Sequence, residues 1–124
     1  MVFALCIACA TWAVEPKDAL IVTSVMATNR IGGIQRVRYV IQNTETQYPV
    51  GNISARLDWM RQGATGAPYA VKSDVIQVRQ IKPYGMEVGE CSVSAPPPCR
   101  AGETEAGFTI TPVSAFYILG PRSL

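Results

Sequence analysis

The chain predicts an all-β fold, an immunoglobulin-like antiparallel β-sandwich of about seven strands. Three observations carry this expectation. Apolar and polar residues alternate with a period of two along several short runs, as half-buried strands require. Clusters of Gly, Pro and Asn punctuate those runs at roughly ten-residue intervals, the spacing of a sandwich built from short connected strands. No segment sustains the periodicity of an amphipathic helix.

Residues 1–13, MVFALCIACATWA, are apolar and uncharged. Ala8-Cys9-Ala10 offers a small-x-small cleavage site and Thr11-Trp12-Ala13 a second, so the segment reads as an export leader and residues 14–124 as one domain. It has no Lys or Arg ahead of the apolar stretch and is shorter than the usual ~15–30 residues, which leaves a buried first strand as the competing reading. Cys9, or Cys6, is the candidate for bacterial lipidation. No run reaches the ~18–20 apolar residues of a membrane span, so a lipid is the one membrane attachment expected.

The first strand run covers residues 19–28 and closes on the turn chemistry of Asn29-Arg30-Ile31-Gly32-Gly33. Over residues 34–42, Val37, Tyr39 and Ile41 share one face while Arg36, Arg38 and Gln42 take the other. A polar connection, residues 43–51, leads to the cleanest alternation, residues 52–60. There Ile53, Ala55, Leu57 and Trp59 point inward and Asn52, Ser54, Arg56 and Asp58 outward. A loop at 62–68 precedes a fourth strand over 69–80, whose parity slips around Ser73-Asp74 in the manner of a β-bulge. After the turn Ile81-Lys82-Pro83-Tyr84-Gly85, residues 86–93, 108–111 and 113–119 supply the last three strands. The final run ends in Phe116-Tyr117-Ile118-Leu119, apolar on both faces, which places it at the centre of a sheet or beneath a partner.

Composition narrows the chemistry. The hydrophobic share is 48% and only 16% of residues are charged, which is the composition of a packed domain and not of a disordered chain. Net charge is +2, and the arginines and lysines are scattered, without the basic clustering of a nucleic-acid surface. There is no histidine, which removes the commonest general base and the commonest metal ligand and leaves Ser-His-Asp or Cys-His catalysis without its base. No catalytic residue, metal site or cofactor is therefore expected. Glu87 and Glu90 differ in strand parity and do not make a converging carboxylate pair. Asp58, outward on its strand, is expected to balance Arg36 or Arg38 across the sheet. Trp59, inward, is expected to anchor the core.

Cys91 and Cys99 bracket the loop Ser94-Ala95-Pro96-Pro97-Pro98, and with an export leader the pair reads as a disulfide contributing about 2–3 kcal/mol. Tyr48, Tyr69 and Tyr84, with nearby arginines, are the candidate residues for glycan or peptide binding.

Over residues 34–93 the order of motifs is Val37-Arg38-Tyr39-Val40-Ile41-Gln42-Asn43, then Pro49-Val50-Gly51-Asn52-Ile53, then an alternating strand reaching Leu57-Asp58-Trp59, then Ile81-Lys82-Pro83-Tyr84-Gly85. This order resembles the bacterial extracytoplasmic domains described as FxLYD-like. Leu57-Asp58-Trp59 departs from the Leu-Tyr-Asp order of those domains, and Tyr84 interrupts their Pro-Gly turn. The resemblance implies an immunoglobulin-type sandwich serving as a binding or assembly module.

The functional expectation is a non-enzymatic structural subunit of a bacterial envelope or surface complex, such as a secretion apparatus or filament, exported to the periplasm or cell surface. Its partners are other protein subunits or further copies of itself, met through Phe116, Tyr117, Ile118 and Leu119. The alternative is an extracytoplasmic glycan- or peptide-binding module.

Overall fold

The computed structural model describes residues 14–119. The leader segment 1–13, with Cys6 and Cys9, lies outside the described residues, as do residues 120–124. A short 3-10 turn, Pro16–Ala19, precedes six strands: β1 Leu20–Ile31, β2 Ile34–Asn43, β3 Val50–Gln62, β4 Tyr69–Val78, β5 Met86–Ser94 and β6 Thr104–Tyr117. They form two three-stranded antiparallel sheets, the first ordered β1-β2-β5 and the second β4-β3-β6. No helix among the described residues is long and apolar enough to cross a membrane.

The all-β expectation holds, with six strands in place of about seven. The runs 108–111 and 113–119 belong to one strand, β6, which passes through Pro112 without stopping. Proline lacks a ladder N–H, and an edge strand tolerates it. β6 is such an edge, and Pro112 faces Ala55 where the β3–β6 register slips. The apolar final run is thus at the rim of a sheet and not at its centre. The predicted bulge in β4 is real but displaced: Lys72 faces Trp59 and Ala70 faces Met60, so Val71 is the extra residue.

The β1–β2 hairpin turns on Gly32-Gly33, with Gly32 at φ +61°, a conformation that glycine adopts at little cost. Inward residues of both sheets meet in one core: Val37, Tyr39 and Ile41 from β2 and Val93 from β5 pack with Ile53, Ala55, Leu57 and Trp59 from β3, Ile76 and Val78 from β4 and Ile110 from β6. This is the sandwich-like arrangement in which each strand contributes alternate side chains. Between Tyr39 and its cross-strand neighbour Gly89 there is no room for a methyl group, because a Cβ at Gly89 would sit 2.4 Å from the phenol ring. The ring fills the space that the glycine leaves on β5.

Asn43 ends β2 as a fully buried polar residue. Its Nδ2 donates to the carbonyls of Tyr48, Ile81 and Lys82, and its Oδ1 accepts from the Glu45 N–H. One amide thereby ties two loops together at this end of the sandwich, satisfying buried carbonyls that would otherwise be costly to bury.

Candidate functional site

The two sheets expose different outer faces. On the second sheet the outward positions are mostly polar and bonded to each other, with Val75 the exposed apolar residue among them on β4. Ser54 and Gln77 exchange a hydrogen bond, Arg56 Nε donates to Asp58 at 3.1 Å, and the Ser73 hydroxyl donates to Asp58. Asp58 is therefore balanced by Arg56 on its own strand. Arg36 and Arg38, expected to face Asp58, instead converge on Glu90 of β5 at 2.5 and 3.3 Å. Strand pairing explains the correction: β2 neighbours β5 and never β3, so Asp58 lies in the other sheet. The Arg36 guanidinium above all, and Arg38 after it, hold the Glu90 carboxyl below the ordinary carboxylate value.

On the first sheet the outward rows run Ile21–Gln42–Met86, Ser24–Val40–Val88 and Met26–Arg38–Glu90. Ile21, Met26, Met86 and Val88 are all exposed, Met86 at 61% and Val88 at 60%. Cross-strand neighbours lie about 5 Å apart at Cβ, so Val40 and Val88 meet and Met86 extends the patch along β5, while Gln42 separates Met86 from Ile21 and Met26 lies beside Arg38 of the ionic cluster. Sequence reasoning assigned β2 its outward side but missed this surface, because Ile21, Val40 and Val88 become neighbours only through the β1-β2-β5 pairing.

The candidate contact residues at the chain end divide. Phe116 and Leu119 are exposed. Tyr117 is half-buried against the core; its hydroxyl donates to the Val14 carbonyl at 3.0 Å, and its ring lies 6.1 Å from that of Tyr48. Ile118 folds over Gly51, where a Cβ would meet its Cδ1 at 2.9 Å. The three candidate tyrosines are not gathered either. Tyr48 and Tyr84 sit at the end where Glu45 accepts the Tyr84 N–H and Asn43 binds the Tyr48 carbonyl. Tyr69 pairs with Arg61 at the far end of β3, roughly 35 Å away at the rise of an extended strand. Tyr84 occupies the third position of the turn Lys82-Pro83-Tyr84-Gly85 at φ +57°, where glycine or asparagine is the usual residue.

At that far end the mouth of the sandwich is organised by charge. Trp59, the expected core anchor, is buried at 3% exposure and its Nε1 donates to Glu105 at 2.7 Å. Arg61, the next inward residue on β3, directs Nε and one terminal nitrogen at the same carboxylate. Burial raises the Glu105 pKa, and the bonds from Trp59 and Arg61 outweigh it and hold the group below its ordinary value. Arg30 reaches from β1 to lie 5.5 Å from the Trp59 ring. Nearby, the Tyr69 hydroxyl and the Arg100 N–H both donate to Glu103 and hold it ionised.

Cys91 and Cys99 are free thiols, not the expected disulfide. Cys91 packs against the core from β5, its neighbours including Asp74 and Glu90. Cys99 lies across the mouth beside Arg61 and Glu105. The stiff Pro96-Pro97-Pro98 segment carries the chain from one sheet to the other instead of doubling it back. Burial raises the pKa of both thiols. Among the described residues no three His, Cys, Asp or Glu side chains come together as a metal-binding group.

No family model, no curated protein and no solved structure matches the chain.

Proposed function

We propose that this chain is a non-enzymatic structural subunit of a bacterial cell-envelope or surface assembly, exported to the periplasm or cell surface and built on an immunoglobulin-like version of the two-sheet fold. The observation that carries the reading is the outer face of the first sheet. Met86, Val88 and Val40 leave an apolar patch on this face, with Ile21 and Met26 exposed on the neighbouring strand, and exposed apolar patches mark contact sites. Phe116 and Leu119 add a second exposed apolar element at the chain end.

The edge beside that face favours the same reading. β1, β4 and β6 each carry a register shift in their pairing with the central strand, a device that discourages further strand addition. β5 pairs with β2 without a break from Ile34–Ser94 to Gln42–Met86. It is a regular edge whose outward Met86 and Val88 belong to the apolar patch, suited to a subunit that lays an extended segment alongside it.

The test is the native size of the protein in extracts of the cells that make it. Wild-type protein is expected to migrate in a complex well above monomer size, and Met86→Ser with Val88→Ser to release it as a folded monomer. A wild-type monomer, soluble and unchanged by these substitutions, would refute the reading.

A further inference from the structure

We infer that the cleft at the mouth of the sandwich, roofed by the proline loop, binds a peptide carboxylate carried next to an apolar residue. The cleft has a volume of about 330 Å³ and is lined by Arg61, Tyr69, Val71, Pro96–Pro98, Arg100 and Glu103, within the range of small-ligand sites. It is a different region from the apolar face of the first sheet, and neither proposal depends on the other.

Arg61 is 4% exposed, and Glu105 takes its Nε and one terminal nitrogen. The second terminal nitrogen has no partner among the described residues, yet no side-chain polar atom there is both fully buried and unbonded. Arg61 lines the cleft, so that this nitrogen is the part of the guanidinium left to face it while the rest of the side chain is fixed. Guanidinium groups bind carboxylates with charge-assisted, directional bonds, and a desolvated one does so most strongly.

Arg100 supplies a second cation on the rim. A turn holds it there: the Glu103 N–H donates to the Arg100 carbonyl at 3.0 Å, Gly102 adopts φ +86°, and the Arg100 N–H returns a bond to Glu103 at 2.7 Å. The Arg100 side chain makes no ion pair among the described residues.

Of the two carboxylates of the mouth, Glu105 is committed to Trp59 and Arg61, whereas Glu103 is bonded only by neutral donors and is a charge that an incoming carboxylate must overcome. Glu105 accepts from Trp59 and twice from Arg61, and Glu103 from Tyr69 and the Arg100 N–H. The donors left open in the cleft belong to arginines. The walls are Val71 and three prolines, so the group bearing the carboxylate is apolar and not a sugar.

Titration by NMR with N-acetylvaline, N-acetylvalinamide and glucuronate tests the inference, following the Trp59 indole and Arg61 Nε signals. N-acetylvaline is expected to shift both signals saturably, while the amide and glucuronate leave them in place. Arg100→Gln, an exposed position away from the core, should weaken N-acetylvaline about tenfold, the worth of one charge-assisted bond. Glu103→Gln keeps an acceptor for Tyr69 while removing the competing charge, and should tighten binding. Equal shifts from acid and amide, glucuronate binding as well as N-acetylvaline, or an unchanged affinity in Arg100→Gln would each overturn the proposal.

Discussion

The outer faces of the two sheets are built from strands of the same alternating kind, yet the first exposes more apolar side chains and the second carries more bonded polar ones. On the second sheet, Ser54, Gln77, Arg56, Asp58 and Ser73 satisfy one another across neighbouring strands. On the first sheet, equivalent outward positions hold Ile21, Met26, Val40, Met86 and Val88, with Ser24, Gln42 and the Arg36–Arg38–Glu90 cluster between and beside them. The inner faces show no such contrast, since both supply fully buried aliphatic side chains to one core. Burial inside the domain therefore does not distinguish the sheets; the difference is written only on the sides that look outward. The first sheet exposes two methionines and a valine on its outer side, where the second sheet exposes Val75 among polar neighbours.

The largest effect should come from the inner faces and should be the same for both sheets. Ile41→Ala on β2 and Ile53→Ala on β3 each truncate a fully buried side chain. Each is expected to cost about 2–5 kcal/mol in chemical denaturation. A cost near zero for either one would mean that its sheet does not share the common core.

Next in size is the contrast between two glycines that are each filled by a neighbour. Gly89→Ala drives a methyl group into the Tyr39 ring, which is packed in the core, and should cost about 1–3 kcal/mol. Gly51→Ala on the second sheet meets the end of the Ile118 side chain, which can swing away, and should cost clearly less in the same denaturation series. The reverse order would show that Tyr39 is free to move and Ile118 is not.

Acid unfolding separates the polar cluster on the first sheet from the one at the mouth of the second. Glu90, Glu103 and Glu105 all have pKa values lowered by folding. As pH falls the unfolded chain takes up protons first, so the stability these groups confer is complete above about pH 5 and is lost through the lower, folded-state values. Glu105→Gln, which strands the buried Arg61, should lower stability at neutral pH and flatten the acid limb of the stability curve. Glu90→Gln, in an exposed cluster, should flatten it less, because solvent and salt screen such pairs.

The smallest effect tests the outer faces directly. Val88→Ser and Val75→Ser replace exposed valines on the first and second sheets, and each should change monomer stability by no more than about 0.5 kcal/mol. Hydrophobic dye binding should fall for Val88→Ser and stay level for Val75→Ser, whose neighbours on the face are polar. Equal changes would erase the distinction between the two faces.

Much of the fold is legible in local pattern. The period-two alternation over Ile53, Ala55, Leu57 and Trp59 names the inward residues of β3, and the Gly32-Gly33 pair marks the first hairpin. Pattern fails where the answer depends on a neighbour. Trp59 reads as a core residue, but its acidic partner Glu105 lies 46 residues away and only the β3–β6 pairing brings them together. Asn43 looks like the start of a polar connection, although it is the amide that joins two loops. Pro112 reads as a break between strands because its tolerance depends on β6 being an edge.

Alternation, turn residues and the lack of histidine are properties of consecutive or counted residues, and by themselves they determine an antiparallel all-β domain, its inward side chains and the unavailability of His-based chemistry. Which strands lie side by side is set by long-range pairing, and that decided the rest: Glu90 as the partner of Arg36 and Arg38, the separation of Cys91 from Cys99, the grouping of Ile21, Met86 and Val88, and the arginine-lined mouth. Local backbone geometry fixes which way a side chain points, but only closure of the sheets fixes what it meets.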